Sequence, residues 1–395
     1  MRRALAPLVL AALSAPGTAR AGQDPERAPF AFAPGERIVL LGNTFFERDL
    51  RHNALETLLV ARHPDRDLVF RNLGWDGDTV WGQARAGFGN AKDGFRNLQK
   101  QVAEARPTVI FLAYGMNESF AGEGGLGEFS EGLHQLLEAL APSGARIVLL
   151  SPIRHEELGP PLPDPVERNR VLSLYVQAIA KAARDRKHRF IDLFTRLDGD
   201  RPLTDNGIHL NDEGYRRAAR AVADALGVPL PRWSVEVDLG REGAKSEGTG
   251  ILSVDALPNR LRFRALDEAL PAPGERGRLL TVRGLTPGMY VLRAGGVLVT
   301  RATGDEWARG VSLRSGPEFE RTGKLREAIA YKNLVYYQYW RPQNDTYIFG
   351  FRKREQGHLQ AEFPQFPPLV AQKEAEIAKL RAPVPVEYVL EPEKK

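Results

Sequence analysis

From Arg37 to Leu226 short apolar runs alternate with longer amphipathic stretches, the pattern of parallel strands buried on both faces with helices packed over them. Five strands are expected: Arg37 to Leu41, Leu68 to Asn72, Thr108 to Ala113, Arg146 to Leu150 and Arg189 to Asp192. Each leads through a loop into a helical segment. Asp164 before Pro165 reads as an N-cap with proline at the first helical position, and Asn211 as the cap of a helix running through Ala225. The expected fold is α/β, a doubly wound parallel five-strand sheet.

The Pro-rich stretch from Gly227 to Arg232 interrupts this alternation. From Trp233 to about Arg314 the apolar period becomes two, through Val235, Val237, Leu252, Val254, Leu261, Phe263, Val291, Val297 and Val299. Turn signals at Pro258-Asn259, Pro273-Gly274 and Pro287-Gly288 fall between these strands and predict a small β-sandwich-like unit. Helical patterns then cover about Glu318 to Tyr339 and Val370 to Leu380, with an aromatic run ending in Tyr347-Ile348-Phe349, and Glu391 to Lys395 reads as a frayed tail. The expected organisation is an α/β domain over 22–230, an all-β unit over 231–315 and a helical C-terminal segment over 316–395.

The first residues follow another logic. Arg2 and Arg3 precede an apolar run from Ala4 to Leu13, and Ala19-Arg20-Ala21 has the small-x-small pattern of signal-peptidase sites, so 1–21 is expected to be a signal peptide and the chain to be exported, periplasmic or extracellular. Losing Arg2, Arg3 and Arg20 takes the formal net charge from +5 to +2, and the remaining charges are interleaved. No nucleic-acid partner or stable membrane insertion is implied. The chain has no cysteine, which excludes disulfides, thiolate metal sites and a cysteine nucleophile. Its seven histidines show no paired-ligand spacing, so no catalytic metal is expected. Gly122, Gly124 and Gly127 fit a G-x-G-x-x-G spacing, but the preceding strand ends near Ala113; a lid beside the cleft is the better reading, and no cofactor is expected.

In a doubly wound sheet the loops after the strands' carboxyl ends gather along one edge. Here they carry Gly42-Asn43-Thr44, the stretch Asn72 to Thr79, Tyr114 to Glu118, and Thr204 to Leu210. Together they supply a hydroxyl at Thr44, a backbone N–H at Gly77, an amide donor at Asn117 and an imidazole at His209, the parts of an acyl-transfer site. Each has a plainer reading. Thr44 suits a helix cap, Gly74 and Gly77 suit turns with positive φ, and His209 alone suits a structural role. Asn117-Glu118-Ser119 is formally a glycosylation acceptor, at a poor position beneath the cleft edge.

These blocks, in this order, resemble those of the SGNH (GDSL-type) hydrolases over roughly Gly35 to Leu226. The resemblance implies a flavodoxin-like sheet and an esterase-type hydrolase acting on ester bonds. Thr44 would then attack, His209 would act as base and then acid, and Gly77, Asn117 and the Thr44 N–H would hold the oxyanion. Two departures stand out. The first block reads Gly-Asn-Thr where the family has Gly-Asp-Ser, and β-branched Thr44 is restricted about χ1. Three residues before the histidine, where the family has an acid, stands Asn206, with Asp205 one further back; either would orient His209. A small-molecule or carbohydrate ester is the expected substrate, an O-acylated carbohydrate fitting the exported setting. The alternative is a catalytically inactive module that holds a glycan or protein partner. The cluster of Tyr336, Tyr337, Tyr339, Trp340 and Tyr347 with Arg341 and Arg352 is expected to be the core and rim of a helical cap packed on the β unit rather than a sugar-stacking face.

Overall fold

The computed structural model describes residues 29–197, 201–229, 232–272, 277–355 and 359–394. The expected signal segment and the turn at Pro273-Gly274 lie outside the described residues. In chain order the α/β part comprises β1 (Arg37–Gly42), α1 (Thr44–Asp49), α2 (Ala54–Arg62), β2 (Val69–Gly74), α3 (Ala91–Ala105), β3 (Val109–Ala113), α4 (Leu126–Leu140), β4 (Arg146–Leu150), α5 (Val166–Asp185), β5 (Arg189–Ile191), α6 (Leu193–Arg196) and α7 (Asp212–Leu226). The sheet is parallel with order β2-β1-β3-β4-β5. All five expected strands are present within two residues at either end.

Both faces of this sheet are covered. On one side Ile38, Leu40, Phe70 and Phe111 pack with α2 and α7; on the other Val39, Leu41, Ile110 and Leu112 pack with α3, α4 and α5. The order reverses between β1 and β3, so the loops after these two strands diverge and leave a crevice at the sheet's carboxyl edge. Asn211 caps α7 as expected, accepting from the Gly214 N–H at 2.9 Å. At α5 the expected positions shift by one: Pro165 takes the cap, and the Asp164 carboxylate accepts from the Val166 N–H at 2.8 Å.

The β unit is a two-sheet sandwich. Its strands are β6 (Ser234–Asp238), β7 (Ala244–Glu247), β8 (Thr249–Leu257), β9 (Arg260–Asp267), β10 (Arg278–Arg283), β11 (Met289–Ala294), β12 (Val297–Thr303) and β13 (Val311–Leu313), with the short helix α8 (Gly304–Arg309) before the last. Then come α9 (Pro317–Trp340), α10 (Asp345–Ile348), α11 (Phe366–Arg381) and β14 (Val386–Pro392). The two sheets run β13-β10-β6-β7 and β12-β11-β14-β9-β8. Thus β14 is the central strand of the second sheet, paired antiparallel to β11 and β9. This corrects the helical reading of 316–395 at its end and the frayed reading of Glu391: Val386, Tyr388 and Leu390 alternate inward in too short a run to stand out beside the long helical pattern before it.

The helical segment packs on the α/β domain, not only on the sandwich. Lys332 of α9 is buried, its Nζ donating to Glu56 Oε1 of α2 at 2.6 Å and to the Phe70 carbonyl at 3.2 Å. Asn333 donates to Asn53 Oδ1 and to Glu56 Oε2, both at 2.8 Å. The Arg71 guanidinium lies under the Tyr336 ring and pairs with Glu374 of α11 at 2.6 Å. The cap was expected on the β unit; its aromatic residues Tyr336 and Trp340 lie instead against the α/β core. At the other end of α9, Glu318 accepts from the buried Arg278 of β10 at 3.2 Å, so one helix ties both units together. Among the described residues no helix is long and apolar enough to cross a membrane.

Candidate active site

Four loops converge at the crevice. One cleft of about 590 Å³, open to solvent, is lined by Thr44, Arg48, Asn117 and His209 together with apolar groups that include Met116, Phe120 and Ile153. Residues separated by more than 160 positions therefore share one cavity, because each follows a strand of the same parallel sheet.

Thr44 opens α1 but does not cap it. The cap is Asn43, whose Oδ1 accepts from the Phe45 N–H at 3.1 Å, so the cap reading of Thr44 is replaced and its hydroxyl is left for other partners. The Gly77 N–H donates to Thr44 Oγ1 at 3.3 Å. This donor is aimed by a turn in which Gly77 has φ +68°, a left-handed conformation that glycine adopts without strain. Gly74 has a different reason: a Cβ there would lie 2.3 Å from the Glu47 nitrogen, so a side chain would push α1 off β2.

The loop after β2 rests on a buried cluster. Arg85 Nε donates to Asp78 Oδ2 at 2.7 Å with both side chains fully buried, and the Tyr114 hydroxyl donates to the same oxygen at 2.9 Å. Arg85 also donates to the Leu73 carbonyl at 2.8 Å. From above, Arg341 at the end of α9 covers the Trp75 ring at 3.9 Å, and Trp340 meets Trp75 edge-on. The Glu47 carboxyl titrates above its ordinary range, because it is partly buried and faces the Asp76 carboxylate.

Asn117 donates to the Asp78 carbonyl at 2.8 Å, which ties the loop after β3 to the one bearing Gly77. Glu118 completes the tie by accepting from the Val80 N–H at 2.9 Å and the Gly115 N–H at 2.8 Å. The Gly122 carbonyl accepts from the Tyr175 hydroxyl at 2.7 Å, and Phe120 of this segment reaches the cleft.

The histidine loop is held from below by Glu156, whose carboxylate accepts from the Leu203 and Thr204 N–H groups and from Thr204 Oγ1. Asn206 and His209 meet directly: Asn206 Nδ2 lies 3.1 Å from His209 Nδ1. Asp205 turns elsewhere, its carboxylate 3.6 Å from Arg48. Between the two candidates for orienting the imidazole, the geometry places the amide on the ring and the carboxylate on the guanidinium. His209 is held below its ordinary pKa, first by burial and then by Arg48, with Asp76 and Asp205 pulling the other way, so it is neutral near pH 7.

The six residues singled out in the sequence thus fall in one place. Sequence reasoning gave no role in the site to Glu118, Glu156 or Arg48, although the two carboxylates shape two of the loops, and it read Arg341 only as part of a helical cap. Asp78 stood inside a recognised block, but its partner Arg85 had no visible signal, because a buried ion pair is a property of packing.

Residues 41–217 match the family model of the GDSL-like lipase/acylhydrolase family. The α/β domain belongs to this family, the SGNH hydrolases, a class of esterase-type enzymes. A solved structure of a gut microbial diltiazem-metabolizing enzyme is similar over 94% of this chain and 100% of that one, with a TM-score of 0.72 at 17% identity, so the sandwich and helical segment belong to a shared fold. A catalytic mutant of an acetylxylan esterase from Geobacillus stearothermophilus aligns over 50% of this chain and 97% of that one at 17% identity and a TM-score of 0.40. A GDSL-like lipase from Bacteroides thetaiotaomicron covers 49% of this chain and 88% of its own, at 17% identity and a TM-score of 0.35. No curated protein matches the chain in sequence.

Proposed function

We propose that the chain hydrolyses esters of small acyl groups by a threonine nucleophile. The observation that carries this reading is the Gly77 N–H on Thr44 Oγ1, in a cleft that also holds Asn117 and His209. A donor against the attacking oxygen is one short displacement from the oxygen of a bound acyl carbonyl, where it would stabilise the charge formed on attack.

In the reaction Thr44 Oγ bonds to the acyl carbon, the carbonyl π pair moves to oxygen, and the hydroxyl proton passes to His209 Nε2. Collapse of the adduct breaks the bond to the leaving alcohol, which takes that proton. Water then repeats the sequence and releases the acid and Thr44. The Gly77 and Thr44 N–H groups and Asn117 Nδ2 are the oxyanion donors. The cleft's walls of Met116, Phe120 and Ile153 suit a short acyl chain, and its open mouth suits a bulky polar alcohol such as a sugar.

The test is hydrolysis of p-nitrophenyl acetate and of acetylated xylooligosaccharides by the parent, Thr44→Ala and His209→Ala proteins, matched for thermal stability. Both variants are expected to lose at least about 10³-fold in kcat. Activity that survives both changes excludes Thr44 as nucleophile. One observation favours a second reading, a site that binds an acylated ligand without turning it over: the ring nitrogen that a catalytic carboxylate would engage faces an amide. Parent protein without activity that still binds acetylated oligosaccharide would select that reading.

A further inference from the structure

The Asn206 amide can be oriented without ambiguity. Its Oδ1 accepts from the His209 N–H at 3.0 Å and from the Ile208 N–H at 3.4 Å. Turning the amide over would place its NH₂ group against two N–H donors, so although the side chain reaches solvent its oxygen stays on the backbone. The group facing His209 Nδ1 at 3.1 Å is therefore the NH₂, which only donates. Nδ1 must be the bare, accepting nitrogen.

We infer that Asn206 is a positioning residue that holds neutral His209 in the tautomer with its proton on Nε2, so that the resting site offers an N–H donor where ester hydrolysis needs a base. The inference rests on the hydrolytic reading given above. For Thr44 to lose its proton to Nε2, that nitrogen must first give up its own, and Nδ1 must take one up. Nδ1–H then needs an acceptor, which Asn206 provides only by turning over and abandoning both backbone donors. The productive tautomer is thereby disfavoured before any chemistry begins, and the chain is a slow hydrolase by virtue of one side chain. Asp205 cannot relieve this in the observed geometry, because its carboxylate is engaged with Arg48.

An aspartate at 206 would keep both backbone donors on one oxygen and present the other to Nδ1–H, reversing the tautomer and stabilising the imidazolium formed on attack. Replacing such a carboxylate by an amide costs a serine protease about 10⁴ in rate through this effect, so Asn206→Asp is expected to raise kcat by about 10² to 10⁴ with little change in KM.

Two measurements on the full-length chain decide the matter. In ¹⁵N-histidine-labelled parent protein above the His209 pKa, with the resonance identified by its loss in His209→Ala, long-range ¹H–¹⁵N spectra are expected to show protonated Nε2 and bare Nδ1; Asn206→Asp is expected to invert the pattern and raise kcat on p-nitrophenyl acetate. Protonated Nδ1 in the parent overturns the tautomer assignment. The expected parent tautomer with no gain in kcat for Asn206→Asp, where the parent has Thr44-dependent activity, overturns its role in limiting the rate. If neither protein hydrolyses any ester, the hydrolytic reading fails and the rate-limiting role falls with it, while the spectra still decide the tautomer.

Discussion

Asp49 shows how a single buried carboxyl leaves a mark on the whole fold. It ends α1, five residues after Thr44, and accepts from the Ala54 N–H at 3.0 Å to start α2. Burial, reinforced by nearby Glu56, pushes its carboxyl up to about 7 from an ordinary 3.8. The folded chain thus keeps a proton that the unfolded chain releases. The stabilisation from this group is complete below about pH 4 and is lost as pH rises towards about 7. Asp49→Asn removes the titration and keeps the acceptor, so in urea titrations the parent is expected to lose stability relative to the variant between pH 4 and pH 8. An unchanged difference across that range would mean that Asp49 is ionised in the fold. At this scale belongs also the contrast between Thr44, which keeps a hydroxyl in the first block, and Asn206, which turns an amide donor to His209 Nδ1 where a carboxylate would accept.

At the scale of elements, the site depends on a helix that lies outside the α/β domain in sequence. α9 is seated by Lys332, whose charge is buried with Glu56. Such a pair contributes little net stability while both members are present, but losing one strands the other away from water. Lys332→Ala is expected to destabilise the protein by about 3–5 kcal/mol, whereas the paired change Lys332→Met with Glu56→Gln should recover much of the loss. Chemical denaturation of the three proteins checks this; equal losses for the single and double changes would show that the ion pair itself, rather than a stranded charge, is what stabilises the fold. The same helix ends in Trp340 and Arg341 over Trp75, so its loosening is expected to raise KM as well.

For the whole molecule, the decisive strand is β14. The chain leaves the sandwich after β13, crosses the α/β domain as α9 to α11, and returns to place β14 between β11 and β9. Ending the chain after Arg381 would open two strand edges in the middle of a sheet and expose its core of Phe263, Tyr290 and Leu292. Such a truncation is expected to be recovered as aggregate, or as a species with a lost thermal transition in calorimetry; a soluble, cooperatively folding product would show that the sandwich closes without β14. The long return path also carries α9 across both parts, with Glu318 on Arg278 of the sandwich and Lys332 on Glu56 of the α/β domain.

What the chain's pattern determined by itself is the alternation of strands and helices in the first half, because burial on both faces of a parallel sheet demands near-continuous apolar runs that stand out locally. The four blocks around Thr44, Gly77, Asn117 and His209 were legible for a related reason: the fold brings strand ends together, so loop residues after each strand can be assigned to one edge. The tertiary structure alone decided which neighbour each polar group chose. That Asn43 rather than Thr44 caps α1, that Asn206 rather than Asp205 meets His209, and that Glu118 and Glu156 hold their loops are outcomes of directions and distances of a few ångströms. Sequence spacing does not encode these, because a hydrogen bond depends on orientation in space and a hydrophobic pattern only on periodicity.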